Sequence, residues 1–244
     1  MSLERSKAAP LQLSLGEPQG PRLRDLLSPY IQNTETLWFY NLVAVEDLIQ
    51  TLPNFPQSMP KLRSLTLDHQ TNKPSWDRST DPFEPFPDTI TFLSLYDIPL
   101  YPSFLGLGTL AKLDLHYYEF QPPLDAFLDL FEGNRSLEHV DLRIDFNEFP
   151  TPIPQRRYVI MNQLRHLSIT CWDAIIARIM VASISMGKGS HLGITIRSGG
   201  AESGLNDVRY LRGPPSEPII AHFHGIRFPP LGGSFDRTKW ELLV

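Results

Sequence analysis

Apolar residues along this chain come in short bursts with a fixed internal spacing. Leu110–Leu115 reads LAKLDL and Leu137–Leu142 reads LEHVDL. In each burst the last two apolar residues stand two apart. An extended chain therefore turns both to one side and the residues around them to the other. Between the bursts, Leu124, Phe127, Leu128 and Phe131 follow the i, i+3, i+4, i+7 spacing of an amphipathic helix over 123–132. Pro123 is tolerated in a first helical turn, and Gly133 can end the helix. The connection is long enough to return the second strand parallel to the first.

The same burst recurs along the chain. Its second apolar positions are Leu37, Leu65, Leu93, Leu113, Val140, Leu167 and Ile194, at intervals of 28, 28, 20, 27, 27 and 27 residues. A weaker copy, LQLSL at 11–15, places Leu13 24 residues before Leu37 and can start the series. Units of 20 to 29 residues with an L-x-x-L-x-L strand are the signature of leucine-rich repeats. The expected fold is therefore α/β: an irregular leucine-rich repeat solenoid with a curved parallel β-sheet on the concave face and short helices or loops on the convex face. One such strand cannot bury its apolar side alone, whereas stacked copies share a continuous core.

The connections differ among themselves. Segments 43–52 and 172–184 read as further short helices, the latter with Ile175, Ile176, Ile179 and Met180 on its buried side. Segments 68–89 and 145–157 are polar and broken by proline, and are expected to be loops without helix. Composition shifts after Arg197, where RSGGAESG and RGPPSEP interrupt the pattern. The expected organisation is an N-terminal cap over 1–34 that can include a first half-repeat, repeats over 35–198, and a C-terminal cap over 199–244.

Charge and composition narrow the function. The 244 residues include 22 Lys and Arg against 27 Asp and Glu, a formal net charge of −5. An acidic chain without a basic run lacks the footprint for binding a phosphate backbone, so nucleic acid is not an expected partner. Cys171 is the single cysteine, which excludes an intrachain disulfide and gives no sign of an oxidising compartment. MSLERSKAAPLQLSL does not have the pattern of a signal peptide, and no apolar run reaches membrane-spanning length. The reading is an intracellular monomer, cytoplasmic or nuclear, with no membrane partner. The 23 prolines suit many surface connections.

The repeats, the proline-rich connections, and phrases such as MPKLRSLTL and GNRSLEHVDL resemble the leucine-rich region of the large F-box protein families of mushroom-forming fungi, over roughly residues 10–197. The resemblance implies a substrate-recognition region of a ubiquitin ligase adaptor. No segment here resembles the helical F-box pattern beginning Leu-Pro-x-Glu, so these residues carry no expected contact to the ligase. The chain also departs from regular repeats three residues after the last repeat leucine, where Asn or Cys is usual. Gln70, Ile98, Tyr118, Asp145 and Trp172 stand there, so an asparagine ladder is not expected.

If the sheet forms, three rows of side chains point to its open face. The middle row is Trp38, Thr66, Ser94, Asp114, Asp141, Ser168 and Thr195. The trailing row is Tyr40, Asp68, Tyr96, His116, Arg143, Thr170 and Arg197. The leading row includes Thr36, Ser64, Phe92, Lys112, His139, His166 and Gly193. Trp38, Tyr40, Phe92 and Tyr96 would be exposed aromatics beside Lys112, Asp114, His116, Asp141 and Arg143, and aromatics and arginine are enriched among interface hot spots. Seven strands at ~4.8 Å spacing give a footprint of roughly 400 Å². A standard interface needs ~800 Å² per partner, so loops 68–89 and 145–157 are expected to contribute.

Other chemistry fares poorly. His139 and His166 are equivalent positions on neighbouring strands but find no third metal ligand in register, since His116 lies in another row. His222 and His224 in AHFHG have ligand-like spacing without a carboxylate or cysteine partner nearby. Lys188 in SMGKGS resembles a phosphate loop only in part: the earlier glycine is absent and Gly189 replaces the hydroxyl residue. Asn134-Arg135-Ser136 is a glycosylation sequon in a chain with no secretion signal. Cys171, at a strand-to-helix turn, fits a buried small residue better than a nucleophile. No cofactor or metal is expected. The leading expectation is a non-enzymatic protein-interaction module with an unknown protein partner. The alternatives are a truncated or structural remnant with no dedicated partner and, below that, an enzyme or metal site using His222, His224 or Cys171.

Overall fold

The computed structural model describes residues 11–15, 28–40, 42, 55, 58–69, 81, 83, 86–118, 120–145, 157–172, 174–187 and 189–196. Their fold is α/β, with a large parallel sheet and few helices. The sheet contains β1 (Leu11–Leu15), β2 (Thr34–Phe39), β3 (Ser64–Asp68), β4 (Phe92–Tyr96), β5 (Lys112–Tyr117), β6 (His139–Ile144), β8 (His166–Cys171) and β10 (His191–Ile196). Each of these strands pairs with the next in sequence. A separate pair, β7 (Val159–Met161) with β9 (Ile184–Met186), is also parallel. All eight strand motifs, including LQLSL at 11–15, thus lie in one sheet.

Register follows the leucines. Leu13 pairs with Leu37, Leu37 with Leu65, Leu65 with Leu93, Leu93 with Leu113, Leu113 with Val140 and Val140 with Leu167. A one-residue slip anywhere would turn these side chains out of the core, which is why the register is held. From Leu37 to Leu167 the anchors are essentially inaccessible, and burying such a side chain is worth ~1.5–3 kcal/mol. The last pairing departs from the expected phase. Leu192, not Ile194, sits beside Leu167, and Ile194 sits beside Ile169. The interval there is 25 residues rather than 27.

Helix α1 (Leu124–Gly133) forms where the spacing predicts it, with Pro123 at its N-cap and Leu124, Phe127, Leu128, Leu130 and Phe131 buried. The Phe127 ring meets the buried Tyr117 of β5 edge-on at 5.5 Å, which places the helix on the sheet's inward side. Helix α2 (Ala174–Ser183) also forms, but its buried face differs from the expected one. Ile176, Ala177 and Met180 are buried, whereas Ile175 is 43% exposed. A helix that is apolar nearly all round gives no stripe from which a buried side can be read.

The described part of segment 68–89 contains no helix, in line with its proline content, yet it is not a polar surface loop throughout. Phe83 and Phe86 are buried and pack on Phe104 at 5.5 and 5.4 Å. Asp81 holds that chain in place by accepting from the amide of Phe83 at 3.0 Å and from that of Ser103 at 2.6 Å. The expected helix at 43–52, most of loop 145–157 and the expected cap at 199–244 lie outside the described residues.

Polar side chains bind one strand's approach to the next. The hydroxyl of Thr89 donates to the Leu62 carbonyl at 2.7 Å, that of Thr109 to the Ile90 carbonyl at 2.8 Å, and that of Ser136 to the Leu110 carbonyl at 2.8 Å. These hydroxyls, each one residue before a buried Ile or Leu, satisfy carbonyls that the parallel ladder has not yet reached. One asparagine among the described residues is buried. Asn134, fully inaccessible, follows α1 and hydrogen-bonds to Phe104, Leu107 and Leu130.

Candidate functional site

Strand alternation gives the eight-stranded sheet one apolar face against the core and one face carrying the polar rows. Across β2 to β8 the three rows stand as the spacing predicts, because Trp38, Thr66, Ser94, Asp114, Asp141 and Ser168 are cross-strand partners in succession. On β10 the two-residue shift replaces the expected members. His191 joins the leading row, Gly193 the middle and Thr195 the trailing one, beside His166, Ser168 and Thr170. Arg197, expected in the trailing row, lies outside the described residues.

Not all of the expected side chains are accessible. Trp38 and Tyr40 are exposed, at 48% and 38%, and meet edge-on with centroids 6.2 Å apart. Phe92 and Tyr96 are half-buried. Lys112 lies over the Phe92 ring at 4.8 Å, a cation–π arrangement, and Tyr96 packs on His116 with centroids 4.2 Å apart. His116 is only 5% exposed. Ser94 of the middle row is buried as well.

The charged centre of the face spans β5 and β6. Lys112 Nζ stands 3.5 Å from Asp114, and Arg143 stands 3.8 Å from Asp141. Asp114 and Asp141 are cross-strand neighbours, and one carboxylate oxygen of each is buried without a hydrogen bond. Burial pushes the Asp114 carboxyl above its usual range and the Asp141 charge adds to this, while Lys112 opposes it. In each carboxylate the buried oxygen is Oδ1, and Oδ2 is the one beside Lys112 or Arg143.

His139 and His166 lie on the leading row of the same region, with ring centroids 6.2 Å apart and planes tilted by 30°. Burial lowers the His166 imidazole below the usual histidine value. His139 and His191 on either side lower it further, and Asp141 partly opposes them. The shift on β10 supplies the in-register third histidine that the sequence spacing omitted. Even so, no group of three or more His, Cys, Asp or Glu among the described residues could hold a metal ion. Cys171 is buried and forms no disulfide. His222, His224 and Lys188 lie outside the described residues.

A concavity of about 500 Å³ opens between the end of α1 and β7, lined among others by Glu132, Arg135, Tyr158, Ile160 and Asn162. Sequence spacing gave no hint of it, because β7 is too short to show alternation. Tyr158 and Ile160 are exposed beside it, and Glu132 is held by Arg157 at 2.9 Å. Among the described residues no helix is long and apolar enough to cross a membrane. No protein-family model matches the chain, and no curated protein matches it in sequence.

Proposed function

We propose that the chain is a non-enzymatic protein-interaction scaffold, built as an irregular leucine-rich repeat solenoid, whose open sheet face recruits a protein partner. One observation carries the reading. Eight parallel strands run in sequence order with equivalent positions in register, so the outward residues are arrayed in rows. Trp38 and Tyr40 provide an aromatic anchor, and the Lys112–Asp114 and Arg143–Asp141 pairs provide a polar centre. Eight strands widen the estimated footprint only to roughly 450 Å², so neighbouring connections are needed to reach a standard interface. The resemblance of the repeats to those of F-box proteins supports an intracellular role in selecting substrates for ubiquitin ligation.

The test is capture of a partner by the full chain and by the double variant Asp114→Lys/Asp141→Lys. The expected result is loss of the captured protein with an unchanged circular dichroism spectrum. Undiminished capture by a folded double variant would rule out this face as the site.

A further inference from the structure

Because Leu192 is the residue beside Leu167, the leading row closes with three imidazoles on adjacent strands: His139 on β6, His166 on β8 and His191 on β10. His139 and His191 are exposed, and His166 is half-buried between them. At the parallel-strand spacing the row spans about 10 Å, the reach of three residues of extended chain.

The surrounding charges cancel while these imidazoles are neutral. From β5 come Lys112 and Asp114, and from β6 come Asp141 and Arg143, each cation beside a carboxylate. In the turns entering β6 and β8, Glu138 pairs with Arg165 at 3.4 Å. The outward positions of β8 and β10 beyond the histidines are Ser168, Thr170, Gly193 and Thr195, none of them charged. Protonation within the row therefore adds positive charge to a part of the face whose other charges are paired. Histidine is the side chain that makes such a change between neutral and mildly acidic pH.

We propose that this region of the face receives an acidic, extended segment of the partner protein and that the row His139–His166–His191 gates it, admitting the segment as the medium turns mildly acidic. The proposal rests on the interaction-scaffold reading and specifies the partner chemistry and its control. An extended peptide places alternate carboxylates on one side ~6.6 Å apart, close enough for two of them to meet neighbouring imidazoliums. Without that added positive charge the face is balanced, and charge-complementary association is lost.

The probe is a fluorescein-labelled deca-aspartate peptide, titrated with the full chain at low salt and followed by fluorescence anisotropy. Binding is expected to be at least roughly tenfold tighter at about pH 5.5 than at about pH 7.5. The variant His139→Gln/His166→Gln/His191→Gln should lose that difference. Imidazole proton resonances of the wild-type histidines should also move on adding peptide at the lower pH, a reading that needs no variant to fold. Equal affinity at both pH values overturns the gate, and absence of binding at either overturns the acidic partner. Partner capture that still depends on Asp114 and Asp141, with no peptide binding, would refute this proposal alone and leave the scaffold reading standing.

Discussion

The side-chain amide of Asn134 donates to the carbonyl of Phe104 at 2.9 Å, joining two residues thirty positions apart in the buried layer behind the sheet. The same nitrogen donates to the Leu130 carbonyl at 2.8 Å, and the amide oxygen accepts from the Leu107 N–H at 2.8 Å. One residue thereby closes the end of α1 and fixes the turn that precedes β5. Truncation would leave three buried backbone groups without partners, each costing ~1–3 kcal/mol. Asn134→Ala is accordingly predicted to lose about 3 kcal/mol in urea unfolding. Asn134→Asp should be nearly as damaging, since an ionised carboxylate can accept from Leu107 but cannot donate. The sequon headed by Asn134 is a poor glycan acceptor for the same reason: its nitrogen is committed inside the fold.

The register of β10 predicts an asymmetry between two residues that look equivalent in the sequence. Leu192 is buried beside Leu167, whereas Ile194 is only partly buried beside Ile169. Leu192→Ala should cost ~2–5 kcal/mol as a core truncation. Ile194→Ala should cost roughly half as much, because less apolar area is removed from contact. Equal losses, or the reverse order, would place the strand two residues out of phase and remove His191 from its place beside His166.

This strand also shows what the sequence could reveal. In HLGITI the apolar residues at 192, 194 and 196 all lie on one side, so the inward face is readable but two pairings satisfy it equally. In the pairing adopted the His191 N–H donates to the Arg165 carbonyl at 2.7 Å, as the His166 N–H does to the Glu138 carbonyl at 3.0 Å. Elsewhere each burst offers one pairing, and β2 to β8 fall where the leucines predict. Helix α1 was legible because its apolar residues form one stripe, and Ile175 of α2 was misplaced because that helix has none. The three-residue strands β7 and β9 are too short to announce themselves. The candidate face was legible as rows but not as a surface, since the packing of Tyr96 on His116 and the burial of Ser94 depend on neighbours across strands. Asn134 and the Thr89, Thr109 and Ser136 hydroxyls are single polar residues without periodicity. Their only sign is a position just before or after an apolar run.

Asp114 should trade stability for its place on the face. Its carboxyl is raised above the usual range, with burial as the main cause. For such a group the fold favours the protonated form. Its stabilising contribution is complete below the unfolded value of 3.8 and is lost as pH rises through the folded value. At neutral pH the ionised group is therefore a liability, partly offset by the half-exposed Lys112 at 3.5 Å. Asp114→Asn is predicted to raise stability at pH 7 by about 0.5–1 kcal/mol, a gain limited by the lost ion pair. The gain should vanish when urea unfolding is repeated below about pH 4. Destabilisation at pH 7 would mean that Lys112 and Arg143 outweigh the burial of the carboxyl.

His166 produces the opposite pH dependence. Its imidazole is lowered, first by burial and then by His139 and His191, so the folded chain prefers it neutral. The unfolded chain then takes up a proton at a higher pH than the folded one. The contribution is fully present above the unfolded value of 6.5 and is lost as pH falls through 6.5 and on through the lowered folded value. His166→Gln removes this term while keeping a polar side chain of similar reach. The variant should lose less stability than the wild-type chain when the urea midpoint is measured at about pH 7.5 and again at about pH 5.5. His139→Gln should give a smaller change of the same sign, because it removes one of the two neighbouring imidazoles that disfavour protonating His166. Parallel losses in wild type and both variants would show that the imidazoles do not sense one another, and acid destabilisation would then have to originate elsewhere in the chain.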